Sequence, residues 1–159
     1  MEGVLRHVDL LLVAAAVLIA VFVLARGGGP RLAPERASWT LTPGALNPDV
    51  TQATIRSTIC THGWTRTIRP PASYTGDLKL RQMRRYGRVG STRDYQEDHL
   101  ISLELGGHPT DPRNLWPEQL PHAYEVDQVE NELNDRVCSG RLTLAEAQRR
   151  ESLLKHTSG

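Results

Sequence analysis

The sequence predicts an α+β domain preceded by a hydrophobic N-terminal helix. Three observations carry this. Apolar residues recur at helical spacing over 77–86, 123–137 and 143–154. Over 100–105 they alternate, with Ile101, Leu103 and Leu105 on one side and Ser102 and Glu104 on the other, the period of a strand. Residues 10–25 read LLLVAAAVLIAVFVLA, sixteen in a row without a charge.

That apolar run is membrane-directed. As a helix it spans about 24 Å, short of a hydrocarbon core of about 30 Å, so residues 1–26 suit either a signal peptide cleaved after Val23-Leu24-Ala25 or a membrane anchor. Residues 27–38, rich in Gly, Pro and Arg, read as a flexible linker, and 39–159 as one domain with a single core. Arg26, Arg31 and Arg36 crowd the far side of the run, which under the positive-inside rule would keep the domain in the cytoplasm. The cysteines argue for export. Cys60 and Cys138 are the only two, lie far apart and form no C-x-x-C pair, so a disulfide in an exported protein is a better account than a zinc staple. The expected localisation is therefore secreted, or tethered on the outer side of the cell membrane.

Within the domain, Asn47-Pro48 reads as an N-cap and first turn opening a helix towards Cys60, closed by Gly63. Residues 65–68 suit a short strand before Pro70-Pro71. The 77–86 helix stops at Gly87 and turns Leu78, Met83 and Tyr86 inward. Gly106-Gly107 closes the 100–105 strand, and 108–121, with four prolines, reads as loop in which Asp111-Pro112 caps one helical turn. The 123–137 helix carries Asp127, Glu130, Asn131 and Asn134 on one stripe and ends at Ser139-Gly140. Thr143 and Glu146 form a capping box for the last helix. Trp64, Tyr74 and Trp116 are expected in the core.

A net charge of +1, taken alone, argues against a purely electrostatic nucleic-acid binder, but the distribution is uneven. Residues 56–93 hold nine basic side chains against one acidic, and residues 94–135 hold eleven acidic against one basic. A cationic surface beside a carboxylate-rich site suits an enzyme that grips a polyanion and binds a divalent cation. Arg81, Arg84, Arg85 and Arg88 are the candidate backbone-gripping cluster.

The segment DHLISLELGG, followed by DPRNLWPE, resembles the motif of HNH (His-Me finger) endonucleases, with fourteen residues between His99 and Asn114. More widely, over 41–148, the chain resembles a family of bacterial exported proteins with STIC, SYT, EDHLISLELGG, DPRNLWPE and VCSGRL blocks. The resemblance implies a small ββα-metal centre embedded among helices, hydrolysing nucleic-acid phosphodiesters, with DNA preferred over RNA. It implies His99 as the base, Asn114 as the brace of its loop, and Asp98 as an acid binding Mg²⁺ or Mn²⁺. An imidazole titrating near neutrality suits activation of water, and hard cations take oxygen ligands. The motif's third residue, about eight beyond Asn114, would be Ala123, which binds no metal; with the helix displaced by an insertion, Asn131 supported by Asp127 takes its place. Consecutive strand residues face opposite ways, so Asp98 and His99 must sit at a strand end or bulge to share a site. The alternative is a catalytically inactive exported interaction or envelope module on the same fold.

Overall fold

A computed structural model describes residues 36–158; the apolar run and residues 27–35 of the linker lie outside the described residues. Among the described residues no helix is long and apolar enough to cross a membrane. The architecture is mixed α+β. Among the described residues there are four helices, α1 (Trp64–Ile68), α2 (Ala72–Tyr86), α3 (Leu120–Cys138) and α4 (Leu144–Thr157), and one antiparallel ribbon of β1 (Tyr95–His99) and β2 (Leu115–Gln119), against which α2 and α3 pack. The chain enters the fold early: Ala37, assigned to the linker by composition, is buried and bonds the Lys155 carbonyl at 2.8 Å.

The strand lies just upstream of the 100–105 pattern, and the reason is a shortage of partners. Pairing runs from Tyr95↔Gln119 to His99↔Leu115, followed by one last backbone bond, from the Leu100 N–H to the Asn114 carbonyl at 2.8 Å. Beyond it the Asn114 side chain does what a neighbouring strand would: its Oδ1 accepts the Ile101 N–H at 3.0 Å and its Nδ2 donates to the Ile101 carbonyl at 3.0 Å. The chain then curls into a 3-10 turn, Leu103–Leu105. Leu100 packs with Ala37 and Trp116, while Ile101 and Leu105 join Leu133, Val137, Leu144 and Ala147 of α3 and α4. The alternation thus reflects apolar burial on several sides of a curled segment, not one face of a strand.

Gly106-Gly107 is dictated by this curl. Gly106 adopts φ 78°, and a Cβ on Gly107 would lie 1.7 Å from the Ile101 carbonyl oxygen.

Two other expectations are corrected. Residues 48–60 form turns and one short 3-10 segment, Ile55–Ser57, rather than a helix; Asn47 Oδ1 accepts the Asp49 N–H at 3.0 Å, an Asx turn that diverts the chain. Residues 65–68 are helical, not extended, and pair with neither strand of the ribbon; Gly63 at φ 80° turns the chain into α1.

The stretch 108–121, read as loop, contains β2, and α3 opens at Leu120 rather than 123; elsewhere the expected signals operate. Asp111 caps the 3-10 turn Pro112–Asn114, Gly87 closes α2 at φ 63°, and Thr143 caps α4 through the Glu146 N–H. Leu78 and Met83 are buried and Tyr86 is half-buried. Trp116 is fully buried, whereas Trp64 and Tyr74 are half-buried. Cys60 and Cys138 form a disulfide, with Cα atoms 5.5 Å apart, joining the segment before α1 to the end of α3.

Candidate functional site

Strand alternation separates the neighbours of His99. Glu97 lies in the field of Lys79 and Arg81 from α2, while the Asp98 carboxylate meets Lys155 from α4. His99, as the last residue of the ribbon, escapes the alternation. Its side chain and that of Asp98 line one pocket of about 460 Å³, together with Asp127, Glu130 and Asn131 of α3, Glu104, and Arg69 just after α1.

The His99 ring is 3.0 Å through Nε2 from the Pro109 carbonyl. A carbonyl only accepts, so Nε2 carries the proton and the neutral imidazole has its lone pair on Nδ1. Burial, the largest influence on His99, shifts its pKa below the usual value and keeps the ring neutral. Asn114, fully buried, bonds Ile101 twice and donates to the His108 carbonyl at 3.1 Å, bracing the loop that supplies Pro109.

Burial opposes ionisation of Asp98, but the Lys155 ammonium, aided by the neighbouring Glu118, overcomes it and holds the carboxylate well below the ordinary range. Glu118 is fully buried, and burial followed by the Asp98 charge pushes its pKa up to about 10. His122 Nδ1 and Glu118 Oε1 share a hydrogen bond of 2.6 Å. Burial also raises Glu104 and Asp127, and neighbouring carboxylates add to it: Asp127 and Asp135 act on Glu104, and Asp98 acts on Asp127. Glu130 is raised well above its ordinary value by burial, in spite of Lys155.

Of the predicted α3 stripe, Asp127, Glu130 and Asn131 line the pocket. Asn131 Nδ2 donates to the Asp127 carbonyl at 2.7 Å, leaving its amide oxygen for a ligand. Glu130 turns inward to Lys155, and Asn134 is structural, donating to the Glu104 carbonyl at 2.7 Å. Among the described residues no three His, Cys, Asp or Glu side chains are already grouped to hold a metal.

The arginine cluster is not part of the pocket lining. Arg81, Arg84 and Arg85 are exposed on α2, whereas the Arg88 guanidinium lies 5.5 Å from the Tyr86 ring centre and 5.9 Å from that of Trp116. The cation that lines the pocket is Arg69, which belongs to the basic block but which sequence does not single out. Lys155 and Glu118 are likewise beyond its reach. Lys155 stands among other charges of α4, Glu146, Arg149, Arg150 and Glu151, and Glu118 sits in a short strand that contains a proline, so neither is marked as buried by the sequence pattern. No family model, curated protein or solved structure matches the chain.

Proposed function

We infer that this protein is a metal-dependent endonuclease of the HNH type, with the β1–turn–β2–α3 segment as its ββα centre and His99 as general base. One observation carries the inference: a buried, neutral imidazole, held through Nε2 by the Pro109 carbonyl and with Nδ1 free of its proton, lines the same pocket as the ionised Asp98. An orienting hydrogen bond on the far nitrogen is what a proton-accepting histidine requires.

The donor set fits a hard divalent cation. Asp98, Asp127, Glu104 and the Asn131 amide supply oxygen to one pocket; beyond the effect of burial, Asp98 raises the pKa of Asp127 and Asp127 that of Glu104, a repulsion that a cation between them would relieve. Mg²⁺ binds through one or two carboxylates and keeps waters or substrate oxygens, so a complete protein cage is not needed. Asp98 would hold it, with Asp127 and Asn131 completing the protein side. When bound, such a cation neutralises charge on the phosphoryl group and the departing oxygen.

The chain's own residues do the rest. His99 Nδ1 takes a proton from a water molecule as its oxygen forms the new bond to phosphorus; the P–O ester bond breaks, and the departing oxygen leaves protonated by solvent. Asn114 fixes the loop that fixes the ring. Arg69 neutralises a non-bridging phosphate oxygen, and Arg81, Arg84 and Arg85 extend the grip along the nucleic-acid backbone. The disulfide supports an exported setting, secreted or tethered. Full-length protein in detergent, incubated with plasmid or RNA and Mg²⁺ or Mn²⁺, tests the assignment: cleavage that disappears in folded His99→Ala is the expected result.

A further inference from the structure

The ammonium of Lys155 takes no part in the steps above, yet it touches both residues on which they turn. Its Nζ donates to Asp98 Oδ2 at 2.9 Å, to Glu130 Oε1 at 2.6 Å and to the backbone carbonyl of His99. These partners match the three donors an ammonium carries. A further carboxylate, Glu151 Oε1, lies 3.6 Å away and accepts the Ser102 N–H at 2.9 Å, tying the cluster to the segment that follows His99. Lys155 is fully buried and comes from the end of α4, far along the chain from the ribbon.

A regular strand cannot bring Asp98 and His99 to one pocket. Ladder pairing ends at His99↔Leu115, and the His99 carbonyl meets Lys155 at that point. The His99 ring is held from the other direction by Pro109. The residue is therefore pinned at both its main chain and its imidazole, and the main-chain pin is the same group that grips the neighbouring carboxylate.

We propose that Lys155 is the positioning residue of this site, one ammonium that clamps the Asp98 carboxylate and the His99 main chain together and so sets the acid and the imidazole at a fixed angle to one pocket. The proposal rests on the nuclease assignment for its kinetic consequences, though not for its geometry. Stability is a poor account of the cluster, since buried ion pairs are often replaceable by apolar groups at no loss. Orientation explains why the ammonium meets consecutive residues of a strand end.

The test uses the full chain in detergent, with plasmid and Mg²⁺. Lys155→Met combined with Glu130→Gln removes the ammonium and one facing charge together, and near-UV circular dichroism reports whether the fold survives. Misplacement of the base and acid predicts a fall in kcat of about 100-fold with KM within about threefold. A folded double variant that keeps wild-type kcat overturns the proposal. If that variant does not fold, Lys155→Arg decides: it retains charge but replaces a compact ammonium with a planar fork, so kcat falls about tenfold at unchanged KM, and an unchanged kcat overturns the clamp. A second readout is independent of cutting. Long-range ¹H–¹⁵N spectra, with His99 assigned from its loss in His99→Gln, report the Nε2-protonated tautomer in wild type and its averaging in the folded variant. Unaltered His99 resonances contradict the clamp. A wild type inert on every substrate and metal sinks the nuclease assignment instead, and the imidazole spectrum still decides the role of Lys155.

Discussion

Asn114 spends its whole carboxamide on backbone, accepting one N–H and donating to two carbonyls in the loop around His99. Asn114→Ala strands three buried or partly buried groups, each costing about 1–3 kcal/mol when left unpaired. The expected outcome is a loss of about 3 kcal/mol in denaturant unfolding, with kcat reduced in the remaining folded protein because Pro109 no longer holds the ring. The same residue shows how sequence and structure relate. Its place after His99, with fourteen residues between, is legible because the motif interval is a property of the chain. Lys155 is not, because a lysine near the end of an amphipathic helix reads as a solvent-facing cation until the fold encloses it among Asp98, Glu130 and Glu151.

At the scale of elements, α2, α3 and α4 are legible from helical periodicity and caps, which act over a few residues. The ribbon is not. Its strands, YQEDH and LWPEQ, carry little apolar alternation, since one supplies the pocket and the other contains a proline. Their pairing is fixed by partners distant in sequence, such as Gln82 Nε2 on α2 donating to the Leu115 carbonyl at 2.6 Å. The basic residues divide between elements in the same way. Arg69 lines the pocket, whereas Arg81, Arg84 and Arg85 lie on exposed α2. Arg69→Ala is therefore expected to lower kcat, and the triple α2 alanine variant to raise KM. Each phosphate that α2 no longer neutralises should also reduce the slope of log binding against log salt by about 0.9 on duplex DNA. Initial rates and salt titrations on one oligonucleotide substrate separate the two effects; equal effects on kcat would contradict the division.

For the whole molecule, the Cys60–Cys138 bond closes a loop of 78 residues that contains β1, β2 and both His99 and Asn114. Chain-entropy estimates place its contribution at about 4 kcal/mol. Reduction should lower the urea midpoint accordingly while leaving kcat of the still-folded fraction unchanged, because neither sulfur lines the His99 pocket; paired unfolding and rate measurements with and without reductant check this. The central claim is that the pocket joining Asp98, His99 and α3 cuts nucleic acid. Its most direct test is cleavage of plasmid and RNA by the purified full chain in Mg²⁺ or Mn²⁺, beside His99→Ala of matched near-UV circular dichroism. The account predicts cutting of at least one substrate and a loss of about 10²- to 10⁴-fold in the variant; equal inertness, or equal cutting, of the two proteins would contradict it.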